Sequence, residues 1–164
     1  MIMNKRQTLK TAATGLLAGW FALKSQAQAA TPSATASERF PGDPPEHKLV
    51  YQLNHADPDY IDHILNSLRA MIVKYDDNVA LAVVAFGPGI HVLATRPERP
   101  VAPGVRERFA GMARDYKVQL IACGNTMTAL NWGPDRLIPE AKIEPVGAAA
   151  LMTFQENGYA YIAW

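Results

Sequence analysis

Three side chains in this 164-residue chain combine useful chemistry with a suggestive position: His55, His91 and the single cysteine, Cys123. Each follows a short apolar run and precedes residues that break it. Cys123 sits in Val118-Gln-Leu-Ile-Ala-Cys-Gly-Asn-Thr-Met127, where an apolar strand pattern passes into a helix start. Free backbone N–H groups and the helix dipole favour an anion at such a junction. A thiol there is expected to ionise more readily than free cysteine. Gly124 leaves the sulfur unobstructed, and Asn125 and Thr126 can cap the helix or donate hydrogen bonds to a sulfur species. Against this stands the ordinary fate of a lone cysteine, which is to be a small buried hydrophobe.

One cysteine forms no internal disulfide, and no CxxC, CxxCH or zinc-type Cys/His spacing is present. His55 and His91 have a side chain suited to proton transfer or soft-ligand binding, although histidines after strands commonly serve as loop residues or caps. His47 and His63 read as structural or solvent-facing, and Trp132 and Trp164 as packing residues. Asp57, Asp59 and Asp62 cluster at one helix start, which the dipole explains without a metal.

The elements that position these residues alternate. His47 to Leu53 reads as a strand, and Asp57-Pro58 opens a helix as cap and first residue. In that helix Ile61, Ile64, Leu65, Leu68, Met71 and Ile72 recur at three- and four-residue spacing, one apolar face. Val79-Ala-Leu-Ala-Val-Val-Ala-Phe86 is continuously apolar, as in a parallel strand covered on both sides. Gly87-Pro88-Gly89 ends it, with His91 just beyond. A helix over 105–116, a strand over 118–122 and a short helix from about Thr126, broken near Gly133-Pro134, follow. A strand over 143–146, a helix over 148–157 and a strand over 159–163 complete the chain. This alternation predicts one α/β domain: a doubly wound, mainly parallel sheet of about five strands with helices on both faces. Ligands bind beyond the carboxyl ends of strands in such sheets, the edge on which His55, His91 and Cys123 all fall.

The N-terminus has a different character. Lys5, Arg6 and Lys10 precede an apolar stretch from Thr11 to Leu23, and Ala27-Gln28-Ala29 supplies a small-x-small cleavage pattern. The stretch is short for a membrane span, which needs about 20 apolar residues. Residues 1–29 therefore read as a secretion signal, 30–45 as a flexible Ala/Thr/Ser/Pro-rich lead, and 46–164 as the domain. Asn4-Lys5-Arg6-Gln7-Thr8 resembles a twin-arginine export motif with lysine in the first arginine position; ordinary Sec export also fits. Without the signal, 135 residues with 12 basic and 15 acidic side chains remain, a net charge of −3. No basic patch points to nucleic acid or anionic lipid, and the protein is expected to be periplasmic and free of the membrane after cleavage.

Taken together, Leu49-Val-Tyr-Gln-Leu-Asn54 with its Asp57-Pro58 helix, Val83-Val-Ala-Phe-Gly-Pro-Gly-Ile90, the Cys-Gly-Asn-Thr-Met junction and the closing Gly158-Tyr-Ala-Tyr-Ile162 resemble the DsrE/DsrF-like family, also called the YchN-like fold. The resemblance runs from about His47 to Trp164. It implies a homo-oligomer, trimer or hexamer, and a persulfide carried on Cys123 between sulfur donor and acceptor proteins or small sulfur compounds, with no metal or organic cofactor. The alternative is a non-enzymatic binding or assembly module in which His55, His91 and Cys123 hold a small sulfur ligand or a soft metal such as Cu(I). The signal pattern carries its own expectation: exported protein starts at Ala30. N-terminal sequencing of periplasmic material checks it, and a start before Ala27 or recovery only with inner membranes refutes it.

Overall fold

A computed structural model describes residues 39–164; the expected signal, and the lead as far as residue 38, lie outside the described residues. The lead enters them at Arg39, whose guanidinium pairs with Asp77 at 2.6 Å and also reaches the carbonyl of Asp43. Five strands form one parallel sheet: β1 (His47–Leu53), β2 (Val79–Ala85), β3 (Gln119–Cys123), β4 (Ala141–Glu144) and β5 (Ala160–Ile162). Their order is β4-β3-β2-β1-β5. Four α-helices accompany them: α1 (Pro58–Tyr75), α2 (Val105–Tyr116), α3 (Gly124–Ala129) and α4 (Gly147–Glu156). The predicted doubly wound α/β sheet is the observed one, with β1 and α2 at their expected bounds, most others moved by one or two residues, and α3 ending about four residues before the expected break. Among the described residues no helix is long and apolar enough to cross a membrane.

Alternation along the strands divides the core in two. Leu49, Tyr51 and Leu53 of β1 share a face with Leu81, Val83 and Ala85 of β2 and with Leu120 and Ala122 of β3. The apolar stripes of α1 and α2 cover that face. Asp57 caps α1 through its carboxylate on the Tyr60 N–H, and Pro58 stands in the first turn. Ile61, Ile64, Leu65 and Leu68 are fully buried, each contributing about 1.5–3 kcal/mol relative to exposure. The opposite face carries Val50, Ala82, Val84 and Ile121, packed under Ala150 and Leu151 of α4. By the same alternation Cys123 belongs to this second face.

α4 alone covers the second face, lying over β1, β2 and β3. This leaves β4 largely exposed and a hollow of about 680 Å³ beside α4 that reaches Ile121, Lys142, Val146 and Phe154. Trp132 is buried as expected, whereas Trp164 is 59% exposed near His63. The reason is position: Trp132 follows α3 inside the main core, while Trp164 ends the chain beyond an edge strand.

The turn after β2 fixes the carboxyl edge. Gly87–Leu93 forms a 3₁₀ turn whose Ile90, Val92 and Leu93 enter the first core. Gly89 lies so close to β1 that a Cβ there would stand 2.6 Å from the Leu53 carbonyl carbon, a backbone atom that cannot step aside. Gly89→Ala is therefore expected to destabilise the fold by about 3 kcal/mol, read as a lower urea midpoint with an unchanged slope.

Candidate functional site

Cys123 ends β3 and serves as the N-cap residue of α3, whose first N–H groups approach the sulfur without a full capping hydrogen bond. The bond comes from elsewhere. The N–H of Gly147, first residue of α4, donates to Cys123 Sγ at 3.2 Å. Two helix starts thus converge on one sulfur. α3 is held in place by the Asn125 N–H, which donates to the Pro145 carbonyl at 2.9 Å. Gly147 makes this approach easy: a Cβ would stand 3.0 Å from Cys123 Cβ, 3.2 Å from Sγ and 3.3 Å from the Phe86 ring, so its neighbours would have to give by a few tenths of an ångström.

Cys123 is 6% exposed. Burial pushes its pKa up, but the Thr126 N–H and hydroxyl, the Gly147 N–H and the Asn125 N–H favour the thiolate and together bring it below the ordinary value. The Asn125 N–H also donates to the Pro145 carbonyl. The Thr126 hydroxyl is well placed to donate, because its oxygen accepts the Gly87 N–H at 3.0 Å and its proton is left free.

His91 lies on the 3₁₀ turn and is 3% exposed. Its Nδ1 accepts the Glu98 N–H at 3.1 Å, which requires the neutral ring with its proton on Nε2. Burial lowers its pKa, as does Arg99; Glu98 opposes them, and Arg136 lowers it further. The ring meets the face of Trp132 edge-on at 4.9 Å. Trp132 Nε1 and Arg136 both donate to the Glu98 carboxylate, at 3.0 and 2.8 Å. This knot sets the imidazole in one orientation and one tautomer.

His91, Asn125 and Thr126 line one open hollow of about 410 Å³, together with Gly87, Pro88 and Arg99. Cys123 lies behind Thr126 and does not line it. His55 does not join them: it is exposed, edge-on to Tyr60 at 5.2 Å. The expected pocket of His55, His91 and Cys123 is therefore not assembled, because β1 delivers His55 into solvent before α1 begins. Among the described residues no three His, Cys, Asp or Glu side chains gather as a metal site. The larger hollow beside α4 includes none of these residues.

Sequence reasoning missed Gly147 and Arg99. Gly147 was open to inference, since a helix following β4 begins at the same sheet edge as β3 ends. Arg99 lies in the proline-rich stretch Arg96-Pro-Glu-Arg-Pro100, which has no periodicity to place it.

The DsrE/DsrF-like family pattern matches residues 47–164. This chain belongs to the DsrE/DsrF-like family. Solved structures that share its fold include the following two. A protein of unknown function, MTH1491 from Methanobacterium thermoautotrophicum, is 23% identical with a TM-score of 0.61, over 71% of this chain and 98% of its own. The ychN protein of E. coli is 16% identical with a TM-score of 0.52, over 70% of this chain and 96% of its own. At those identities the likeness concerns architecture alone. No curated protein matches the chain.

The donor set makes Thr126 a test of the site. Thr126→Val keeps the shape and removes the hydroxyl, so the thiol pKa should rise, read from thiolate ultraviolet absorbance against pH. Thr126→Ser should restore the native value. An unchanged titration in the valine variant would show that the hydroxyl does not act on the sulfur.

Proposed function

We propose that this family member is a periplasmic sulfur-relay protein that carries persulfide sulfur on Cys123. The observation that carries the reading is the junction itself: one thiol at the end of β3, met by the first turns of two helices and biased toward thiolate despite its burial. A readily ionised thiol both attacks and leaves well, the property required of an exchange carrier.

The chemistry needs no cofactor. The Cys123 thiolate attacks the outer sulfur of a donor R–S–SH. The donor S–S bond breaks and R–S⁻ departs with the bonding pair, leaving Cys123–S–SH. An acceptor thiolate then attacks the same outer sulfur, forming its own persulfide and returning the Cys123 thiolate. The sulfur changes hands without net oxidation. The N–H groups of Thr126 and Gly147 stabilise the negative sulfur at the beginning and end of the cycle. Because Cys123 is buried and the Gly147 N–H lies against its sulfur, transfer requires the first turn of α4 to open briefly.

Partner proteins or small sulfur compounds would supply and accept the sulfur. The protein is further proposed to act as a homo-oligomer, trimeric or hexameric, since Tyr161, Trp164, Val146 and Met152 leave large apolar side chains exposed.

Incubation with a low-molecular-weight persulfide should add the mass of one sulfur atom to the intact protein, reversed by a thiol reductant. Cys123→Ser should fold and gain nothing. A native protein that loads no sulfur, or that iodoacetamide labels only after denaturation, would show an inert core cysteine.

A further inference from the structure

The hollow at the carboxyl edge is built almost wholly of donors on its polar side. Arg99 forms no salt bridge among the described residues, whereas its neighbours Arg106 and Arg136 are both paired. The carboxylate of its sequence neighbour, Glu98, is already held by Trp132 and Arg136. His91 borders the same hollow with its Nδ1 committed to the Glu98 N–H, so the Nε2–H is what it has left to give. No protein acceptor takes that proton among the described residues, and although His91 as a residue is 3% exposed, its Nε2 is not among the buried unpartnered atoms and is open to a ligand. The opposite wall is apolar, made by Pro88, Ala129 and Leu130.

From this arrangement we infer that the hollow binds a small molecule with an oxyanion head, taken by the Arg99 guanidinium and the His91 Nε2–H, its remaining atoms resting on Leu130 and Pro88. Arg99 supplies the charge and a planar fork of donors. His91 supplies direction, because the Glu98, Trp132 and Arg136 knot prevents its ring from flipping to offer an acceptor. A volume of about 410 Å³ suits a compound of modest size. Thr126 lines the hollow and also faces the Cys123 sulfur, so occupancy would be felt at the thiol. The site does not depend on sulfur being carried there.

The test is a titration of the reduced protein, followed by the His91 ring ¹H–¹⁵N signals, with sulfate as a bare head and succinate as a head on an organic body. Saturable shifts with a Kd on the order of 1 mM or tighter are expected for at least one probe. The tighter of the two distinguishes an inorganic ligand from an organic acid. Arg99→Gln should weaken binding roughly tenfold, while Arg96→Gln, a nearby surface change, should leave it intact. His91→Gln assigns the signals; if it fails to fold, the Arg99 pair read through the Asn125 amide carries the test. Shifts that do not saturate for either probe, or affinity unchanged in Arg99→Gln, overturn the inference. No sulfur donor enters the titration, so its outcome is separate from that of persulfide loading.

Discussion

β5 pairs with β1, so the chain leaving β4 at one edge of the sheet must cross β3, β2 and β1 before its last strand can form. All five strands are parallel, so the crossing starts at their carboxyl ends. The face under α1 and α2 is already filled, which sends α4 over the other. These constraints put the first turn of α4 beside the end of β3, where Cys123 stands. The bond from the Gly147 N–H to the sulfur is a consequence of strand order. So is the thin cover of the second face, since one helix of ten residues cannot shield what two longer ones shield opposite.

Two opposed effects meet at the thiol. Removal from water disfavours a thiolate, and for an unassisted buried cysteine that effect would prevail. Here donors outweigh it, and they come from segments far apart in sequence: Thr126 from α3 and Gly147 from α4. The result differs from an exposed reactive cysteine. The sulfur is biased toward ionisation although Cys123 is buried.

His91 is a binding candidate from sequence, and the folded chain narrows what it can offer a ligand. Its pKa is lowered, chiefly by burial and then by Arg99, so it favours the neutral ring. Its Nδ1 already accepts a backbone N–H. What remains is a fixed donor, suited to holding a ligand rather than to taking a proton from the thiol. The residues responsible, Glu98, Trp132 and Arg136, are drawn from the proline-rich stretch and the turn after α3. Their mutual hydrogen bonds tie that otherwise irregular segment to the carboxyl edge.

Periodicity alone determined the element order, the parallel sheet and the apolar face of α1, because strand and helix repeats depend only on neighbours along the chain. The cap at Asp57 and the strand-to-helix junction at Cys123 were equally local, and both are found as read. The folded chain decided what rests on distance between remote residues. It grouped His91 with Asn125 and Thr126 and left His55 in solvent. It brought Gly147 to the sulfur across a gap of 24 residues, and set Arg99 on the rim of the hollow. A strand pattern specifies where its side chains emerge, but strand order and the turns between strands decide which of them meet.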